Sequence, residues 1–279
     1  MADAVRFPEI DLLRGVAILM MVIYHTLFDL WYFAIVPVVV TTGFWKAFAL
    51  ATASLFLLIV GVSFSISYAR ASVRLSGFRL YLRFLTRGFG IFALGLLVTL
   101  GTWLYLGEGF IIFGILHLIG ISLILAPFFY RFGKWTIAIG LAVIATGLFV
   151  VNGMGPFYML PFGVQPEAFW SVDYSPVFPW TLVNAISPLL QLPLGLHTVS
   201  FWSVDYTPLL PWFGVVLIGL GIGSVLYPGG IARGCTLPEI PATWERVLTF
   251  PGRNSLLIYL VHQPVIILIL HFATGAVPL

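Results

Sequence analysis

Long apolar runs separated by short polar breaks fill most of this chain. Such runs exceed what a strand or a buried soluble helix needs, and about 20 apolar residues carry a helix across a bilayer. Seven of them predict spans at roughly 12–33, 47–68, 88–106, 110–130, 135–152, 208–227 and 254–275. The fold class expected is all-α, a polytopic membrane helical bundle forming a single domain over residues 1–279. The stretch 153–207 breaks the pattern: it is rich in Pro, Gly and Trp, and its apolar middle is interrupted by Pro188 and Pro193. A re-entrant or interfacial segment is expected there, tolerable only where protein or a water-filled cavity covers the backbone.

Composition agrees. Of 279 residues, 61% are hydrophobic and only 8% charged, against about 25% charged in an ordinary soluble domain. The mean hydropathy is +1.08. A soluble enzyme, a disordered chain and a coiled coil are excluded. The single cysteine, Cys235, excludes an intramolecular disulfide framework. A net charge of +3 gives no argument for nucleic acid. No cleavable signal peptide is expected, because the first apolar segment is long and carries Asp11 and Arg14 at its start. With the N-terminus cytoplasmic, twelve of the thirteen Lys and Arg residues fall on the cytoplasmic side and only Lys46 outside. That is the bias of an integral protein of a plasma membrane.

The first span carries the densest polar signal. Arg14 and His25 are eleven residues apart, three turns plus about 20°, so they share a face some 16 Å apart along the axis. Asp29 lies one further turn on, and Asp11 and Tyr32 fall close to the same line. This stripe should face the bundle interior, where ionisable groups are costly and by default point to function. A carboxylate one turn from an imidazole holds its tautomer and stabilises the imidazolium, as a general base requires. The alternative is a polar cluster that glues helices together.

Other residues divide in the same way. His117 should lie about two turns into its span, and His262 about 12 Å into the last one. In that last span Ser255, Tyr259 and His262 share a face, and Pro264 bends the helix. Either histidine alone serves equally as a packing residue. Residues 70–87 hold five arginines and no acid. Arg79, Arg83 and Arg87 project from one side of a helix, as a clamp for phosphates or as a contact with anionic lipid headgroups. Residues 169–180 read FWSVDYSPVFPW and residues 201–212 read FWSVDYTPLLPW. Asp173 and Asp205 of this repeat either line an outer substrate mouth or belong to a duplicated aromatic anchor. No Walker motif, dinucleotide fingerprint or metal-ligand cluster is present, so no bound metal is expected. Small residues recur in the spans and allow a homodimer without marking its face.

The blocks EIDLLRGVAILMMVIYH, FGILHLIGIS, SVDYTPLLPWFGVVLIG and GRNSLLIYLVHQP together resemble one family. It is the prokaryotic membrane family related to the catalytic domain of heparan-α-glucosaminide N-acetyltransferase, within a superfamily of transmembrane acyltransferases. Arg14, ten residues and His25 reproduce that superfamily's R-x(10)-H signature. The resemblance implies transfer of an acyl group, usually acetyl, from cytosolic acyl-CoA to an extracytoplasmic acceptor, mostly a sugar or another hydroxyl or amine. It implies His25 as general base, the favoured role, or as a transient acyl carrier, oriented by Asp29, with Arg14 contacting CoA or closing the cytoplasmic entrance. Arg79, Arg83, Arg87, Asn254 and Ser255 would hold the CoA. His117, Tyr259, His262 and Asp205 would stand around the reacting groups. A transporter or flippase using the same polar stripe is the competing reading.

Overall fold

A computed structural model describes residues 6–152, 188–196, 203–233 and 242–277. Nine α-helices are found among the described residues: α1 (Pro8–Tyr32), α2 (Gly43–Ser72), α3 (Gly77–Leu106), α4 (Ile115–Tyr130), α5 (Thr136–Asn152), α6 (Pro188–Leu194), α7 (Leu209–Leu226), α8 (Ala242–Arg253) and α9 (Ser255–Thr274). Helices α1, α2, α3, α7 and α9 are long and apolar enough to cross a membrane, and α4 and α5 are shorter apolar helices. The all-α polytopic membrane bundle is therefore the fold, with a helix at each of the seven expected spans.

The helix ends follow from local chemistry. Pro8 opens α1, where its missing N–H costs nothing, and Glu9 and Asp11 sit in the first turn, where the helix dipole favours anions. Gly275, at φ 66°, closes α9 in the left-handed conformation that glycine adopts without penalty.

Two helix starts differ most from expectation. Helix α3 begins at Gly77, well before residue 88, because arginine is a good helix former and the helix continues past the apolar run. Helix α4 begins at Ile115. The apolar residues 110–113 before it are not helical, and Phe113 forms a parallel bridge with Tyr206. His117 consequently sits in the first turn of α4, not two turns deep. Helix α8 is a twelve-residue amphipathic helix directly before the last span. The region 153–207 lies mostly outside the described residues, including the first repeat copy with Asp173. What is described there is α6 and the stretch from Ser203 onward.

The chain divides into two compact units, Met1–Ile59 with Gly234–Leu279, and Val60–Arg233, with the boundary inside α2. In the first unit α1 packs on α8 and α9. Ile266, Leu270 and Val277 form a buried cluster, flanked by Val22, Leu30, Phe33, Ile35 and Ile267. Helix α1 is arranged inside-out, as lipid requires: Leu13, Val16, Leu19 and Ile23 are exposed, while Asp11 and Asp29 are buried.

In the second unit α3 packs on α4, and α5 on α7. Glycines let the backbones touch. A Cβ on Gly140 would stand 2.5 Å from the carbonyl of Gly214, and one on Gly214 would stand 2.5 Å from that of Gly140. Gly88 and Gly120 meet in the same reciprocal way at 2.6 and 2.8 Å. Lipid provides no hydrophobic drive between helices, so such close approach supplies the dispersion contact that holds them. Along α3 only Leu80, Phe84, Gly88 and Gly95 are buried; Gly88 and Gly95 face α4, and Phe84 meets Phe64 and Tyr68 of α2.

Candidate functional site

Two polar layers lie within the first unit. The first joins the start of α1 to the end of α8. Arg14 donates from Nη1 to Asp11 Oδ1 at 3.0 Å and to the Gly252 carbonyl at 3.4 Å. Arg253 Nε stands 3.6 Å from Asp11 Oδ2, and its Nη2 lies 3.5 Å from Glu245 Oε1. Two arginines and two carboxylates thus balance, with the buried Asp11 at the centre. A Cβ on Gly252 would collide with the Asp11 carbonyl oxygen, so glycine is what permits this crossing. Arg14, expected to contact CoA or to close the cytoplasmic entrance, ties α1 to α8 through the Gly252 carbonyl.

The second layer lies further along α1. His25 meets His262 of α9 edge-on, with ring centroids 4.9 Å apart and an interplanar angle of 86°. Tyr24 touches His25 from the same helix at 6.1 Å. Asp29 Oδ1 accepts from Gln263 Nε2 at 3.2 Å, which fixes which end of that amide faces the carboxylate. Nδ1 of His262 lies 2.6 Å from the Tyr259 carbonyl oxygen. Three side-chain atoms here are buried without a hydrogen-bond partner: Asp29 Oδ2, His262 Nε2 and Gln263 Oε1. Most buried polar atoms are paired, so three orphans in one layer require a reason. Tyr32, placed on the stripe by spacing, is 38% exposed and stacks on Phe28. Asn254 and Ser255 stand at the α8–α9 junction, where Asn254 Nδ2 donates to the Phe250 carbonyl at 2.9 Å.

The remaining candidates belong to the second unit. Arg79, Arg83 and Arg87 occupy successive turns at the start of α3 and are exposed, and none of them is in an ion pair among the described residues. His117 is buried between Phe92 and Phe113, its ring against Gly95. Its Nδ1 accepts from the Gly114 N–H at 3.2 Å, so in the neutral ring the proton is on Nε2, a buried donor without a partner. Asp205, from the second repeat copy, accepts from the Ile115 N–H and so caps α4. Ser203 Oγ donates to the Phe110 carbonyl, and the Thr207 N–H to that of Phe113, which fastens this segment beside residues 110–113.

Burial pushes the Asp205 carboxyl up to about 7, and the Ile115 N–H opposes this only in part. A carboxyl raised above its unfolded value favours the folded state most below the ordinary carboxylate pKa, and that contribution is lost as pH rises towards 7. Asp205→Asn keeps an acceptor without the charge. Its melting temperature relative to the parent protein should rise between pH 4 and pH 7 and then level off. A difference independent of pH would show that the carboxyl does not titrate there.

Sequence reasoning missed Gln263 and Gly252. A polar residue within an apolar span was the available signal for Gln263, but its partner Asp29 is 234 positions away in sequence. Nothing local distinguishes Gly252 from other glycines. Among the described residues, no three His, Cys, Asp or Glu side chains gather as a metal site would need.

No curated protein and no solved structure matches this chain. A family model does, that of the heparan-alpha-glucosaminide N-acetyltransferase catalytic domain, over residues 6–190 and 182–264. The matched stretches run through both units and include α1 with its polar stripe, α8, and α9 as far as Pro264. The chain belongs to the heparan-alpha-glucosaminide N-acetyltransferase catalytic-domain family, and so to the integral membrane acetyltransferases.

Proposed function

We propose that this protein transfers an acetyl or other acyl group from cytosolic acyl-CoA to a hydroxyl or amine, carbohydrate-like acceptor on the far side of a prokaryotic plasma membrane. Its N-terminus is cytoplasmic in this reading, and residues 1–279 act as a single acyltransferase-like domain. The observation that carries the proposal is the pairing of half-buried His25 on α1 with buried His262 on α9, beside buried Asp29, in a chain of acetyltransferase family. An acceptor must lose a proton as it attacks a thioester, and an imidazole is the side chain suited to take it near neutral pH. Arg79, Arg83 and Arg87 would hold the CoA phosphates, where their planar forks match phosphate oxygens. Asn254 and Ser255 would assist from the α8–α9 junction. His117, with its free Nε2–H, would supply the kind of donor that an oxyanion needs.

Calorimetric titration of acetyl-CoA into the detergent-purified protein tests this without knowledge of the acceptor. Saturable binding that depends on the CoA phosphates is expected. The double variant Arg83→Ala/Arg87→Ala should weaken it about tenfold or more, since each charge-assisted contact is worth roughly 1.5–3 kcal/mol before exposure reduces it. Unchanged affinity would remove these arginines from the site. No binding by the folded protein would turn the reading to transport, with flux across liposomes as the next measurement.

A further inference from the structure

We infer that the proton acceptor of the α1–α9 layer is Nε2 of His262, with His25 as the ring that positions it, and that this layer receives the acyl acceptor and not the thioester carbonyl. The inference rests on the acyl-transfer reading for its chemistry, but its structural half stands on hydrogen bonding alone.

The Tyr259 carbonyl oxygen, 2.6 Å from His262 Nδ1, can only accept. The Ile258 carbonyl makes a second backbone contact with the same ring. The hydrogen is therefore on Nδ1, and in the neutral ring Nε2 is left with a bare lone pair. That atom is buried and has no partner. His117 is the opposite case, because its Nδ1 accepts from Gly114 and its Nε2 is the donor.

The other orphans in the layer agree in kind. Asp29 can only accept when ionised, so the Gln263 amide must turn its NH2 towards it and leave Oε1 open. With Asp29 ionised, His262 Nε2, Asp29 Oδ2 and Gln263 Oε1 are three buried acceptors without a hydrogen-bond partner. A thioester carbonyl, itself only an acceptor, finds no donor among these three atoms, and they would repel the negative oxygen of a tetrahedral intermediate. A group that brings N–H or O–H hydrogens is what these atoms match. His25, edge-on to His262 from α1, restricts how that ring can turn.

The step balances as follows. His262 Nε2 takes the hydrogen of the acceptor's N–H or O–H while the nitrogen or oxygen lone pair forms a bond to the thioester carbonyl carbon. The tetrahedral adduct collapses, the C–S bond breaks with its electron pair on sulfur, and the imidazolium returns the proton to give the free thiol. The products are the acylated acceptor and CoA, and no oxidant or reductant is consumed.

The decisive experiment is long-range 15N–1H NMR on the full-length protein, labelled with 15N-histidine and held in lipid nanodiscs at pH 7.5, with His262→Gln and His117→Gln to assign the signals. His262 should be neutral with its hydrogen on Nδ1, and His117 neutral with its hydrogen on Nε2. A His262 ring with its hydrogen on Nε2, or one doubly protonated, would overturn the inference. With acetyl-CoA and a competent acceptor, His262→Gln should lower kcat by about 10²–10⁴-fold, as loss of a general base does, with KM for acetyl-CoA within twofold of the parent. His25→Gln should lower kcat less than tenfold. The reverse order would overturn the assignment even with the expected tautomer. If the parent protein transfers no acyl group, the acyl-transfer reading fails on its own, while the NMR result still decides the state of His262.

Discussion

Gly252→Ala should lower the melting temperature of the detergent-solubilised protein by roughly 5–10 °C, reflecting a loss of about 2–3 kcal/mol. The added methyl would meet the Asp11 carbonyl oxygen and carbon, which belong to backbone and cannot rotate away. Helix α8 would have to withdraw from α1. Withdrawal would also cost the Arg14 contact with the Gly252 carbonyl and the Arg253 approach to Asp11. Gly101→Ala is the control, since a Cβ there meets nothing within 4 Å. Inside α3, near its end, it should leave stability unchanged or raise it by about 0.5–1 kcal/mol, because alanine loses less backbone freedom than glycine. Equal effects of the two substitutions, followed by the loss of a fluorescent or circular-dichroism signal on heating, would refute the close contact.

The second large effect is expected at Asp11. Asp11→Ala leaves Arg14 and Arg253 facing one another without the carboxylate that joins them. Removing one partner of a fully buried pair costs about 3–5 kcal/mol. The arginine side chains here are 24% and 31% exposed, so they recover part of their hydration, and about 2 kcal/mol is the expected cost. The double variant Asp11→Ala/Arg14→Leu should recover a portion of that loss, because one stranded cation has gone with its partner. Strict additivity of the two single changes in thermal melts would mean that the 3.0 Å pair contributes nothing.

Most of the span positions could be read from hydropathy, and the reasons for the misses are physical. Helices α1, α2, α7 and α9 begin and end within about five residues of expectation, because Pro8, Gly43 and Gly275 punctuate the apolar runs. Hydropathy cannot tell a helix from non-helical chain when both are apolar, so the pattern by itself places Phe110 to Phe113 in α4. Gly114, the extended N-cap of α4, is the feature that separates them from it. Helix α8 went unnoticed because a short amphipathic helix raises no signal in a search for apolar runs. In the site, a rotation of 100° per residue sufficed to align Arg14, His25 and Asp29 on one face. It could not say which residue would meet each of them. Asp29 meets Gln263 and Arg14 meets Gly252, both from the far end of the chain. Partners of that kind depend on tertiary packing, which spacing along one helix does not contain.

The length of α3 has a consequence for the lipid around it. Its 30 residues would measure about 45 Å end to end, well beyond a hydrocarbon core of about 30 Å. The stretch from Gly88 to Leu106 contains no charge and covers about 28 Å, close to that thickness. Arg79, Arg83 and Arg87 then stand among the headgroups, and the helix acts as a ruler with its zero mark near Gly88. A markedly thinner membrane would force α3 to tilt, and the reciprocal Gly88–Gly120 contact would carry α4 with it. Acyl-chain length is thus a variable to control when the protein is reconstituted, because hydrophobic mismatch acts directly on the pair of helices that carries His117.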